Sequence, residues 1–145
     1  MKREWSNKWI ASTQPRKQRK FRHNAPLHVR QKFVSAHLSE ILRRRFGRRS
    51  LPLRKGDEVK VMRGEDKGFT GKVERVDLKN SKVYIEGLTV KKVDGSEVMK
   101  PIEPSNLLIV EPKMDDKRRQ AIVERAREAK EKKTEEKEGR KKKRR

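Results

Sequence analysis

Cysteine is absent from this chain of 145 residues, so disulfides, cysteine-type zinc sites and a thiol nucleophile are excluded. Long apolar runs are absent as well, and no segment can span a membrane as a helix. Met1-Lys2-Arg3-Glu4-Trp5 leads into no apolar stretch, so no secretory leader is expected. Nucleotide-binding loops of the Gly-Lys-Ser or Gly-Lys-Thr type do not occur. Hydrophobic residues are scarce at 30% and aromatics scarcer at 5%, too little for a core that uses the whole length. Residues 5–39 hold no acid at all, so the cations there have no local partner.

What fills the chain is positive charge. Lys and Arg number 43 against 21 Asp and Glu, a formal net charge of +22. Charged residues reach 44%, where about 25% is usual. Self-repulsion on that scale destabilises a compact molecule standing alone. It disfavours a free-standing enzyme and favours a chain completed by a polyanion. The charge is uneven: net +15 over 1–55, −1 over 56–112 and +8 over 113–145. Apolar residues sort the other way, with nine of the twelve valines in 56–112. That near-neutral segment alone looks able to bury a core.

The same segment alternates polar and apolar residues as strands do. Runs at 57–62, 71–76, 82–86, 88–90, 97–99 and 107–110 are separated by turn signals, and a slip at Glu74-Arg75 suggests a bulge. Asp94-Gly95 between Val93 and Val98 marks a hairpin. Short strands joined by tight turns predict a mainly β fold, a small antiparallel barrel over 56–112. Residues 1–26 read as a basic extended arm. Residues 27–55 read as short helices and a linker, with helical spacing over 27–34 and 38–46. In the second, Leu38, Ile41, Leu42 and Phe46 fall on one face and Gly47 suits the C-terminus. Residues 113–130 read as a C-terminal helix opened by Asp115 and Asp116, and 131–145 as a basic disordered tail.

The most informative stretch is 56–73. Gly56-Asp57-x-Val59-x-Val61-x-x-Gly64-x-x-x-Gly68-x-x-Gly71-x-Val73 describes a strand, a sharp turn and a returning strand. Gly64 and Gly68 supply positive φ or allow close backbone approach, and with Gly71 they form a set of turn glycines. Arg63, Lys67 and Lys72 give the loop a basic rim, able to lie against a sugar-phosphate chain. On spacing alone, a glycine-closed hairpin with no ligand explains the pattern equally well.

This stretch resembles the KOW motif, with Gly64 at its central glycine. More of the chain is similar to one family in that class. Gln14 to Lys20, Asn24-Ala25-Pro26-Leu27-His28-Val29-Arg30, Arg48 to Asp57, Val90-Lys91-Lys92, Pro104-Ser105-Asn106 and Asp115 to Arg119 resemble the archaeal branch of the universal large-subunit ribosomal protein of family twenty-four. The likeness covers about residues 14–125. Departures are the leader with Trp5 and Trp9, Glu103 where the pattern has histidine, and a long basic tail. The resemblance implies an SH3-like barrel. It also implies a structural constituent of the large subunit that binds the 5′ region of 23S-type rRNA directly, nucleates assembly and sits near the polypeptide tunnel exit. The implied partners are that rRNA and neighbouring ribosomal proteins, in the cytoplasm, with no cofactor, membrane or small-molecule substrate.

Phosphate contacts release counterions and fix position without reading sequence. The candidates in the arm are Arg16, Lys17, Arg19, Lys20, Arg22 and His23. Arg30 follows, then Arg43, Arg44, Arg45, Arg48 and Arg49 around the second predicted helix. Arg54, Lys55, Arg63, Lys67 and Lys72 belong to the barrel and its approach. Arginine leads because its planar fork engages phosphate bidentately. Trp5, Trp9, Phe21 and His23 are candidates to stack on bases. Asp57, Glu58, Glu65 and Asp66 read as solvated surface acids, not as a metal cluster. The three histidines lack the rigid, partnered frame a catalytic base needs. Rival readings are a KOW-domain transcription elongation factor and a non-specific nucleic-acid-compacting protein.

Overall fold

The structure, a computed structural model, describes residues 5–6 and 12–142, with side chains as far as Lys130. Its centre is a six-stranded mixed sheet in the order β2-β1-β8-β3-β4-β5. The strands are β1 (Ser35–Leu38), β2 (Ser50–Pro52), β3 (Glu58–Val61), β4 (Thr70–Asp77), β5 (Lys82–Ile85) and β8 (Leu107–Glu111). A separate two-stranded ribbon pairs β6 (Thr89–Lys91) with β7 (Glu97–Met99). Edge strand β5 is joined back toward β8 by the Val83–Ile102 bridge, which curls the sheet into a small barrel. Four α-helices lie among the described residues: α1 (Pro15–Asn24), α2 (Leu27–Phe33), α3 (Glu40–Phe46) and α4 (Lys117–Lys142). No described helix is long and apolar enough to cross a membrane.

The alternating runs of the middle segment are strands, as their period requires. Val59 and Val61 are buried while Lys60 is exposed between them. The β4–β5 register shifts between Val73 and Arg75, the bulge that Glu74-Arg75 signals. The Asp94-Gly95 hairpin is present, with Gly95 at φ +82°.

The core extends well beyond 56–112. Val34, Ala36, Leu38, Leu51 and Leu53 are buried in the same cluster as Val59, Val73, Ile85 and Ile109. They get there because β1 lies parallel to β8, with His37 opposite Leu108 and Leu38 opposite Ile109. The barrel is therefore not wholly antiparallel; helices do lie within 27–55, but the residues between and after them, 34–38 and 50–53, form one side of the barrel. Leu38 belongs to β1, not to the helix expected over 38–46. Only Leu42 and Phe46 of that helix are buried, and Ile41 is 79% exposed. Gly47 closes α3 in the left-handed conformation.

Two further expectations change. Pro15–Asn24 is helical, not extended. Proline suits the first helical turn, and the segment holds no β-branched residue. Tertiary contacts then hold it: Phe21 packs 5.1 Å from Trp5 and 6.2 Å from Phe33, ring centre to ring centre. At the other end, α4 continues to Lys142, through residues expected to be disordered. Lys, Glu and Arg, which predominate there, are strong helix formers. Residues 143–145 and Trp9 lie outside the described residues.

Candidate nucleic-acid interface

Helix α1 carries Arg16, Lys17, Arg19, Lys20, Arg22 and His23, all exposed, with no acid in its first turn. Among the described residues, none of its five arginines and lysines forms an ion pair. Like charges at helical spacing repel, so a chain that keeps them unpaired presents a strong anion-binding face. The helix is anchored from below by Arg30. Its Nε donates to the Ala25 carbonyl at 2.9 Å, and its guanidinium also donates to the His23 carbonyl. A third bond reaches the Lys79 carbonyl at 3.1 Å, tying α2 to the β4–β5 turn. Arg30, a candidate phosphate ligand, is thus committed to three carbonyls and acts as a brace.

The arginines of α3 divide in the same way. Arg43 donates through Nε to the Leu38 carbonyl at 2.7 Å. Arg44 pairs with Glu40 at 2.5 Å in a solvated contact worth little. Arg45 lies over the Phe46 ring, 5.9 Å from its centre. Arg49 is exposed, and Arg48 lies beside Ile122, Arg125 and Ala126 of α4. On the barrel, Lys55, Arg63, Lys67 and Lys72 are exposed, while Arg54 pairs with Asp116 at 2.5 Å. The turn between β3 and β4 uses Gly64 at φ +94° and Gly68 at φ +97°, where no neighbour would meet a Cβ. Gly71 differs. A Cβ there would stand 2.8 Å from Ile85 Cγ2, so its role is close packing of β4 on β5.

Phe21 and Trp5 pack on each other, so as base-stacking candidates they are partly used within the protein. Phe69, on the returning side of the turn, packs against the core.

One acid overturns the reading of the 57–66 carboxylates as solvated. Asp57 is wholly buried and is gripped by Arg119, whose two terminal nitrogens reach Oδ1 at 2.7 Å and Oδ2 at 2.8 Å. The backbone N–H groups of Arg54 and Lys113 complete its shell at 2.8 and 2.9 Å. Four donors satisfy a carboxylate, which is what a buried one needs. The pair joins the start of β3 to the start of α4. The separation of 62 residues hides it from any local pattern. The acids of the turn stay at the surface: Glu65 and Asp66 flank Lys100 at 3.0 and 2.7 Å, holding its ammonium above the usual lysine value, Asp66 more than Glu65. Asp116 opens α4, as its position suggests. The Arg118 N–H, and then Arg54, hold its carboxyl below the ordinary range. No group of His, Asp and Glu able to hold a metal occurs among the described residues.

The residues that build the braced basic helix and the glycine turn lie within a stretch that matches a known family. The family model that describes the L26 ribosomal proteins of eukaryotes and the L24 ribosomal proteins of archaea fits residues 12–126. The chain belongs to this family. It is 51% identical over 114 residues to the large ribosomal subunit protein uL24 of Methanosphaera stadtmanae, spanning 79% of this chain and 97% of the relative. The uL24 protein of Methanosarcina barkeri is 51% identical over 114 residues, 79% of this chain and 98% of its own. That of Methanocella arvoryzae is 50% identical over 116 residues, 80% and 94%. As an archaeal-type member of the family, the chain is a structural constituent of the large ribosomal subunit, in the cytoplasm, and not an enzyme.

Proposed function

We propose that the chain binds the 5′ region of 23S-type rRNA directly, nucleates assembly of the large subunit there and lies near the polypeptide tunnel exit, against neighbouring ribosomal proteins. The observation that carries the reading is α1: exposed cations without acids, held rigidly to the barrel by Arg30. A rigid basic face suits folded RNA, whose shape and not its sequence guides phosphate contacts. Arg16, Lys17, Arg19, Lys20 and Arg22 lead the set, with Arg45, Arg49, Lys55, Arg63, Lys67 and Lys72 as further exposed candidates. The ribosomal family match leaves the elongation-factor reading without support.

The test is binding of the whole chain to a transcript of the rRNA 5′ region, with a transcript from the 3′ region and duplex DNA as competitors, over a range of salt. Preference for the 5′ transcript and an affinity falling by several decades between roughly 50 and 200 mM salt are expected. Equal binding to all three nucleic acids would overturn the reading in favour of a non-specific compacting protein.

A further inference from the structure

A cleft of about 690 Å³ opens between the N-terminal helices and the β4–β5 turn. Such a volume lies within the roughly 300–1,000 Å³ of small-ligand sites. Its walls come from distant parts of the chain: Arg19 and Arg22 of α1, Phe33 of α2, Lys79 and Ser81 of the turn, and Glu103. The walls are fixed in place. Arg30 ties α2 to the Lys79 carbonyl and to the end of α1. Asp77 accepts the Lys79 and Asn80 N–H groups at 2.9 and 3.1 Å, which locks the turn. Ser81 has φ +54°, the one positive φ outside glycine among the described residues. Backbone in that region persists where the surroundings hold it, and it concentrates at binding sites.

The chemistry of the cleft is specific. Arg19, Arg22, Arg30 and Lys79 face one carboxylate, Glu103, which is already paired with Lys82. Arg19 and Arg22 take no ion pair among the described residues. Phe33 is 37% exposed, and its ring is backed by Phe21, 6.2 Å away. Cations beside a supported aromatic ring suit a planar base that carries a phosphate. A carboxylate-rich peptide would use the cations and leave the ring without a partner.

We propose that this cleft takes one unstacked nucleotide of the bound RNA, with its phosphate on Arg19, Arg22 and Lys79 and its base against Phe33. The inference rests on the rRNA-binding reading and adds to it a point where a single-stranded base is held. It is tested on the full chain bound to the 5′-region transcript. Ultraviolet cross-linking with mass spectrometry should place a nucleotide on the peptide containing Phe33, at a position unpaired in the free transcript. Phe33→Leu should weaken binding about tenfold and leave the salt slope unchanged. Lys79→Ala keeps the carbonyl that Arg30 uses and should lower the slope by about one. Thermal melts of both variants check folding; should Phe33→Leu melt early, Lys79→Ala and the cross-link decide. Wild-type binding by both variants with no adduct at the cleft overturns the cleft alone. Failure of the unaltered chain to bind the transcript overturns both readings. Loss of poly-glutamate binding in the variants, with RNA binding intact, would make the ligand an acidic peptide and overturn the proposal.

Discussion

Helix α1 and the junction between β3 and α4 are both rich in arginine and use it in opposite ways. In α1, Arg16, Arg19 and Arg22 stand in solvent without acids. At the junction, Arg119 is almost wholly buried and spends both ends of its fork on Asp57. Burial makes the difference: an unpaired cation is tolerable in water and very costly inside. A chain with a net charge of +22 can fold only if most of its cations stay on the surface, and the one buried among the described residues, Arg119, brings its own counter-ion. The same composition therefore supplies an internal clamp and an external anion-binding face.

Breaking the clamp should have the largest effect. Asp57→Ala leaves a buried guanidinium without its counter-ion, held only by the Lys113 and Pro52 carbonyls, and two backbone N–H groups without an acceptor. It should cost about 3–5 kcal/mol in urea unfolding, a large share of a small domain's stability. Replacing both partners, Asp57→Leu with Arg119→Met, should cost clearly less, since no charge is then left unpaired. An equal loss would mean that the backbone bonds to Asp57, not the charge pair, fix the junction.

A smaller effect is expected from packing alone. Gly71→Ala drives a methyl into Ile85 and should cost about 1–3 kcal/mol. Gly64→Ala meets no neighbour, and only its positive φ opposes it, at about 1 kcal/mol. Reversal of that order would place the strain of the barrel in the turn and not at the β4–β5 contact.

The exposed face should answer in the opposite sense to the clamp. Changing Arg16, Arg19 and Arg22 together to Gln should leave stability within about 0.5 kcal/mol. It should lower the salt slope of rRNA binding by about two to three. A fall in stability without a change in slope would make α1 a structural element like α4.

The smallest effect is acid dependence. Asp77 is held below the ordinary aspartate value of 3.8 chiefly by the Asn80 N–H, Asp94 by the Ser96 hydroxyl and Asp116 by the Arg118 N–H. A depressed carboxyl stabilises the fold above its unfolded value and ceases to do so as the pH falls through its lower folded value. Asp77→Asn should therefore lower the melting temperature slightly at about pH 6 and hardly at all at about pH 2.

How much of the molecule is legible in the sequence depends on how local the signal is. Val59 and Val61, the slip at Glu74-Arg75 and the Asp94-Gly95 turn are local patterns, and each has its place in the barrel. Strands β1 and β2 are not legible. Ser35–Leu38 is four residues long, and its partner β8 lies some seventy positions on. Its Leu38 also fits a helical spacing, so periodicity points the wrong way. Asp57 looks like a turn carboxylate because its neighbours are charged, and nothing nearby announces Arg119. Helix α1 is hidden by its own charge, since the aromatic and carbonyl contacts that hold it are tertiary. The candidate cations are legible as a class, but the bracing role of Arg30 is not.

The parallel pairing of β1 with β8 has a consequence for biogenesis. A polypeptide made from its N-terminus outward must carry β1 unpaired on that side until residues 107–109 have been synthesised. Asp57 must likewise remain hydrated until Arg119 has emerged. Vectorial synthesis thus delays closure of the barrel to the last part of translation. Through that interval the cationic helix is already outside, exposed to any polyanion before the fold behind it is complete.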